Sequence, residues 1–346
     1  MSALSPAVLA ATHDLELAAR LVVEGMRSGT HRSPLHGYSA EFQQHRPYRI
    51  GDDLKYLDWK ILARTDRLYS RQFRETTSMS VMLVPDTSAS MDFPNSTTQL
   101  SKHRYATIVA AALAYMISTQ GDAVGLMTSS NGRLEYLPAR GGRPHLRALI
   151  ARLDRLQPNG EWQPAQVIPR AAELLRRRGV VLVLSDFYDA DDAARTALRR
   201  VAKRGHDVGM LQVVSAEERD LPYTGDLELQ ELESNRRLVI NTNEAAQQYR
   251  QRFGAFLEQC RSDASSDGFD YHLFTTDVSP EQAMRNWLLR RASGQPAGTG
   301  QPTPTGQQAA TGQHAATGQH AATSQPAATL AAANDRSRTV RASVDR

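Results

Sequence analysis

Between residues 79 and 292 strand signals and helix signals alternate, and this alternation is what most restricts the fold of the chain. Residues 180–184 read Val-Val-Leu-Val-Leu. A strand with no polar face must be covered on both sides, as in a parallel sheet between two helix layers. Residues 81–84 form a second apolar run and stop at Pro85 and Asp86. Further strands are predicted at 122–128, 207–214 and 269–274. Helices are predicted at 106–117, 146–156, 165–178, 193–203, 244–264 and 280–290, with Gly121 and Gly179 as stops. The pattern predicts an α/β class domain, doubly wound, with a mostly parallel sheet and helices on both faces. Residues 133–137 add a strand joined to its predecessor through Asn131 and Gly132, a pair that favours a hairpin. Residues 227–233 and 236–240 break the alternation and read as an inserted hairpin outside the main sheet.

Three regions follow. Residues 1–78 read as an N-terminal appendage with an amphipathic helix from about 5 to 26, a short helix capped by Asp53 and carrying Leu54, Leu57 and Ile61, and an extended edge at 69–76. Residues 79–292 are the α/β domain. Residues 293–346 are rich in Gly, Gln, Ala, Thr and Pro and repeat Ala-Ala-Thr-Gly-Gln-His, a composition expected to be disordered because it cannot bury a core.

Composition narrows the function classes. With aromatics at 6% the core must be aliphatic, and the single cysteine, Cys260, excludes an internal disulfide and a thiolate metal site, which suits a reducing compartment. The first residues lack the basic start and apolar stretch of a signal peptide, and no apolar run reaches membrane-spanning length. A cytoplasmic protein without direct membrane insertion is expected. The net charge of +4 raises the question of nucleic acid, but residues 79–292 carry 26 basic and 26 acidic side chains, and their arginine clusters fall near predicted helix ends. A neutral domain without an aromatic platform does not read as a nucleic-acid binder.

The strongest local signal is Asp86-Thr87-Ser88-Ala89-Ser90, directly after a buried strand, where open α/β sheets bind their ligands. Asp86, Ser88 and Ser90 put one carboxylate and two hydroxyls around a common point, hard donors suited to Mg²⁺. Asp186, at the end of the 180–184 strand, supplies a second carboxylate. A second reading has Asp86 and Ser88 merely capping the next helix.

The stretch 48–64, Tyr-Arg-Ile-Gly-Asp-Asp-Leu-Lys-Tyr-Leu-Asp-Trp-Lys-Ile-Leu-Ala-Arg, resembles the signature of the bacterial domain of unknown function 58 family, and the resemblance continues through 86–91, 121–126 and 184–187 to the last strand. It implies a von Willebrand factor A-like domain, a MoxR-type AAA ATPase as partner and a role in maturing or remodelling an unknown client protein. It also implies that Asp86, Ser88, Ser90 and Asp186 take the positions of a metal-ion-dependent adhesion site. The family usually adds a Thr hydroxyl after a Gly on a separate loop. Here that loop reads Asn159-Gly160-Glu161-Trp162, so Trp162, which has no oxygen, stands at the Thr position and puts Mg²⁺ in doubt. Trp162 and Glu161 are then expected to serve as a partner contact. The signature residues Gly51, Asp52, Asp53, Asp58, Trp59 and Arg64 read either as an ionic clamp fastening the appendage or as a docking surface, the clamp being favoured.

No Gly-x-Ser-x-Gly elbow, His-Glu-x-x-His helix or Gly-x-x-x-x-Gly-Lys phosphate loop is present. The reading is a non-enzymatic protein-binding module working through a degenerate metal site. The alternative is a metal-dependent hydrolase using the Asp86 loop.

Overall fold

A computed structural model describes residues 6–27, 41–47, 59–65, 67–74, 79–94, 99–130, 133–159, 162–188, 192–222, 226–231, 237–292 and 340–343. In chain order the N-terminal elements are α1 (Pro6–Ala11), α2 (Leu15–Arg27), β1 (Glu41–Pro47), α3 (Trp59–Thr65) and β2 (Tyr69–Arg74), with β1 and β2 paired antiparallel. They lead into β3 (Ser80–Pro85), α4 (Lys102–Thr119), β4 (Ala123–Ser130), β5 (Arg133–Arg140), α5 (Arg143–Asp154), α6 (Pro164–Glu173), β6 (Val180–Ser185), α7 (Asp192–Lys203), β7 (Asp207–Val214) and α8 (Ala216–Asp220). The chain continues through β8 (Asp226–Glu231), β9 (Arg237–Asn241), α9 (Thr242–Ser266), β10 (Asp270–Thr275), α10 (Pro280–Ala292) and β11 (Val340–Ser343).

The six strands of the main sheet lie in the order β10-β7-β6-β3-β4-β5, parallel except for the edge strand β5. Side chains alternate through it with period two. Val81, Leu83, Leu182, Leu184, Leu211 and Val213 face a core shared with α2, α4, α5 and α10, whereas Met82, Val84, Val181, Val183 and Met210 face one shared with α6, α7 and α9. Both faces are covered, which is why the β6 run needs no polar residue.

Departures from expectation have local causes. The first helix divides at Thr12, His13 and Asp14, because Asp14 accepts from the Leu17 amide at 3.0 Å and starts a new helix. Leu15, Ala18, Ala19, Val22 and Val23 of α2 belong to the main core, so this part of the expected appendage is an integral layer of the domain. Helix α6 ends at Glu173, ahead of Gly179. Gly179 is needed for close approach instead, since a Cβ there would run into the Ser80 carbonyl oxygen of the neighbouring strand. Strands β8 and β9 form the predicted hairpin, and β11, four residues of the tail expected to be disordered, pairs with β8 as a third strand. Val340-Arg-Ala-Ser alternates apolar and polar residues and can satisfy the free edge of a polar hairpin. The Asn131-Gly132 turn and Asp53 lie outside the described residues.

Candidate functional site

The sheet order reverses between β3 and β6: from β3 the chain builds outward to β4 and β5, and from β6 to β7 and β10. At such a switch point the loops leaving two adjacent strands diverge and open a crevice beyond their carboxyl ends. Asp86 and Asp186 leave these two strands side by side, and the Asp86 amide donates to the Leu184 carbonyl at 2.8 Å.

The geometry brings together all four oxygen-bearing residues expected there. Asp86 Oδ1 accepts from the Ser88 amide at 2.7 Å, and Asp86 Oδ2 accepts from Ser185 Oγ at 2.5 Å, the short distance of a hydroxyl bonded to a carboxylate. The hydroxyls of Ser88 and Ser90 are 2.8 Å apart, and Ser90 Oγ donates to Asp186 Oδ2 at 2.8 Å. Thr87 donates to the Ser129 carbonyl and accepts the Asn159 amide on its own carbonyl, tying the loop to its neighbours. The alternative helix-cap reading fails for Ser88, whose side chain makes no cap bond to the 3-10 turn at Ala89–Asp92.

Sequence reasoning missed the centre of the site. Lys102, the first residue of α4, is fully buried, and its Nζ donates to Asp186 Oδ2 at 2.8 Å and to Glu218 Oε1 at 2.7 Å. The same Nζ lies 4.4 Å from the centre of the Tyr188 ring. Glu218 is positioned by its own helix: Ser215 and Glu218 form a capping box, in which Glu218 Oε2 takes the Ser215 amide at 3.0 Å and leaves Oε1 for the ammonium. Gln212 on β7 completes the floor, donating to the Asp186 carbonyl at 2.8 Å while accepting from the Tyr271 hydroxyl at 2.7 Å.

Burial dominates the electrostatics. It pushes the Asp86 carboxyl up to about 7, the Asp186 charge adds to the rise, and the Ser185 and Ser88 bonds pull back part of it. Burial works against the Lys102 ammonium, but Asp186 and Glu218 outweigh it and hold the lysine above its ordinary value. Burial also raises Glu218 against the pull of Lys102.

Two expectations need correction. Trp162 is only 4% exposed and belongs to the core cluster beneath one face of the sheet that also holds Met82, Val84 and Phe187, so its ring is not a contact surface. Its Nε1 is buried without a hydrogen-bond partner. The Asp86 loop itself is buried, with Asp86, Ser88, Ser90 and Asp186 at most 1% exposed, so it does not present a docking face. Glu161 and the signature residues Gly51, Asp52, Asp53 and Asp58 lie outside the described residues. Trp59 opens α3, and Arg64 near its end is exposed.

The donor set does not fit a divalent cation. Both Asp86 oxygens are engaged, the serine hydroxyls bond each other, Asp186 Oδ2 already faces an ammonium, and Trp162, where the resemblance leads one to expect a Thr, is a buried indole.

A family model described as protein of unknown function DUF58 matches residues 44–262. The chain belongs to this family. Uncharacterized proteins of Mycobacterium bovis and Mycobacterium tuberculosis are 32% identical to it over 232 residues, covering 66% of this chain and 72% of theirs. Among solved structures, BatB from Bacteroides thetaiotaomicron is similar at 18% identity and a TM-score of 0.40, over 62% of this chain and all of that one. The SpRpn10 VWA domain is similar at 14% identity and a TM-score of 0.32, over 66% of this chain and all of that one. The fold of this DUF58 chain is α/β and doubly wound, with a mostly parallel six-stranded sheet between two helix layers. No helix among its described residues is long and apolar enough to cross a membrane.

Proposed function

We propose that this DUF58 chain is a non-enzymatic protein-binding module of the cytoplasm, an adaptor or substrate-recognition partner that presents a client protein to a MoxR-type AAA ATPase for maturation or remodelling. The observation that carries the non-enzymatic part is the closed state of the Asp86 cluster. Ser88 and Ser90 hydrogen-bond to each other, Ser90 also donates to the Asp186 carboxylate, which is itself held by the Lys102 ammonium, and among the described residues neither hydroxyl meets a histidine. The histidines at 103, 145, 206 and 272 are engaged with Leu156, Val124, Gly179 and Ala283, away from the loop. A hydrolase on this loop would need a nucleophile released from these bonds and a base not already paired with an ammonium, and the pattern supports the non-enzymatic reading.

Because the Asp86 loop is buried, the docking role passes to the signature stretch 51–64, whose last residues, Ala63 and Arg64, are exposed on α3. An arginine at an exposed helix end suits an acidic patch on a partner. The test is a pull-down of the purified chain with the MoxR-type ATPase of the same organism, using wild type and Arg64→Glu, together with phosphoester, peptide and ester hydrolysis assays. The reading expects capture by wild type, weaker capture by Arg64→Glu and no turnover. Turnover that disappears in Ser88→Ala would instead establish the hydrolase.

A further inference from the structure

We infer that Lys102 is a built-in cation: its ammonium takes the electrostatic place that a divalent metal holds at a site of this kind, and the wild-type site works without metal.

The position of the lysine is the first argument. The first turn of a helix disfavours a cation, because the unpaired amides there already carry partial positive charge. Lys102 nevertheless starts α4, with Ser101 as the cap before it, and is fully buried. A fully buried lysine keeps its charge only when partners of opposite sign meet it. Its two partners come from distant points of the chain, Asp186 at the end of β6 and Glu218 in the helix after β7, so one ammonium joins the segments that follow three neighbouring strands, β3, β6 and β7.

The bonding pattern is the second argument. Asp186 Oδ2 receives both Ser90 Oγ and Lys102 Nζ at 2.8 Å, so the carboxylate that would face a metal is held by the lysine and the hydroxyl is spent on that carboxylate. A mobile ion is exchanged for one on a covalent tether, and the charge cannot be removed by a chelator. Without the ammonium the Asp186 and Glu218 carboxylates that it now holds would face each other uncompensated beside the Ser90 hydroxyl, hard oxygens of the kind that attract a divalent cation. The inference stands whether or not an ATPase docks elsewhere on the chain.

The experiment uses the full chain, wild type and Lys102→Met, with thermal unfolding followed in chelator and in millimolar Mn²⁺, and a direct Mn²⁺ binding titration of the wild type. Wild type is expected to melt at the same temperature in both buffers and to bind no Mn²⁺ at a single saturable site. Lys102→Met is expected to melt lower and to regain part of the loss in Mn²⁺. Saturable one-to-one Mn²⁺ binding by wild type that Asp186→Asn abolishes would overturn the inference, and so would a Lys102→Met melt equal to wild type or indifferent to Mn²⁺. The wild-type titration decides the matter even if the variant does not fold.

Discussion

Lys102 Nζ lies 2.7 Å from Glu218 Oε1, an ion pair between residues 116 positions apart with both side chains buried. Removing one member of such a pair strands the other charge, which typically costs about 3–5 kcal/mol. Glu218→Gln is expected to destabilise less than Glu218→Ala, because the amide oxygen still accepts from Lys102 and the side chain still fills its place at the cap. Urea denaturation of the two variants at neutral pH measures the difference.

Trp162→Phe should leave stability within about 1 kcal/mol of wild type, since it removes a buried donor that has no partner and keeps most of the apolar volume. Trp162→Thr, which restores the residue type expected at a metal site, should instead cost about 3–5 kcal/mol by opening a cavity in the core cluster to which the indole belongs. Denaturant midpoints for both variants check this. Equal stabilities would contradict a packing role for the indole.

Gly179→Ala should lose about 1–3 kcal/mol, because its Cβ would press on the backbone oxygen of Ser80, which belongs to a central strand and cannot give way cheaply. Gly254→Ala, on α9 with nothing near the added carbon, should be neutral or slightly stabilising. The two melts compared side by side separate close approach from general glycine effects.

His103 supplies a pH dependence away from the carboxylate cluster. Burial first, and then the charge of Arg104, lower its pKa from 6.5 to about 4, against the pull of its bond to the Leu156 carbonyl at 2.9 Å. The unfolded chain therefore binds a proton near pH 6.5 that the folded chain refuses until about pH 4. Its contribution to stability is complete above pH 6.5 and is lost as pH falls through that window, on the order of 3 kcal/mol at about 1.4 per pKa unit. Stability measured from pH 7.5 to 4 should fall more steeply in wild type than in His103→Gln, and parallel curves would refute the assignment.

The fold was legible because its strongest signals are physical necessities: β6 has no polar face and so must lie between two layers, and its β-branched run admits little else. The carboxylates and hydroxyls of the site were legible for the same reason, since the ends of β3 and β6 become neighbours once the sheet is parallel. Lys102 was not, because a lysine at the start of a helix after Ser101 reads as a solvated side chain, and only the distant Asp186 and Glu218 explain its burial. Glu218 carried a readable signal in the Ser-Ala-Glu-Glu capping box after β7, although the box alone does not reveal that its second carboxylate oxygen faces inward. Trp162 misled because it sits among polar loop residues, while its ring completes a core formed by residues far away in sequence.

The central claim is that the acidic site at the switch point is held by a tethered lysine, and a double-mutant cycle on Lys102→Met and Glu218→Gln, read by urea denaturation in metal-free buffer, tests it most directly. The account predicts that the double variant is more stable than the sum of the two single losses implies, by a coupling of about 1–3 kcal/mol. Losses that add to within about 0.5 kcal/mol would show that the two residues do not act as a pair, and the account would be wrong at its centre.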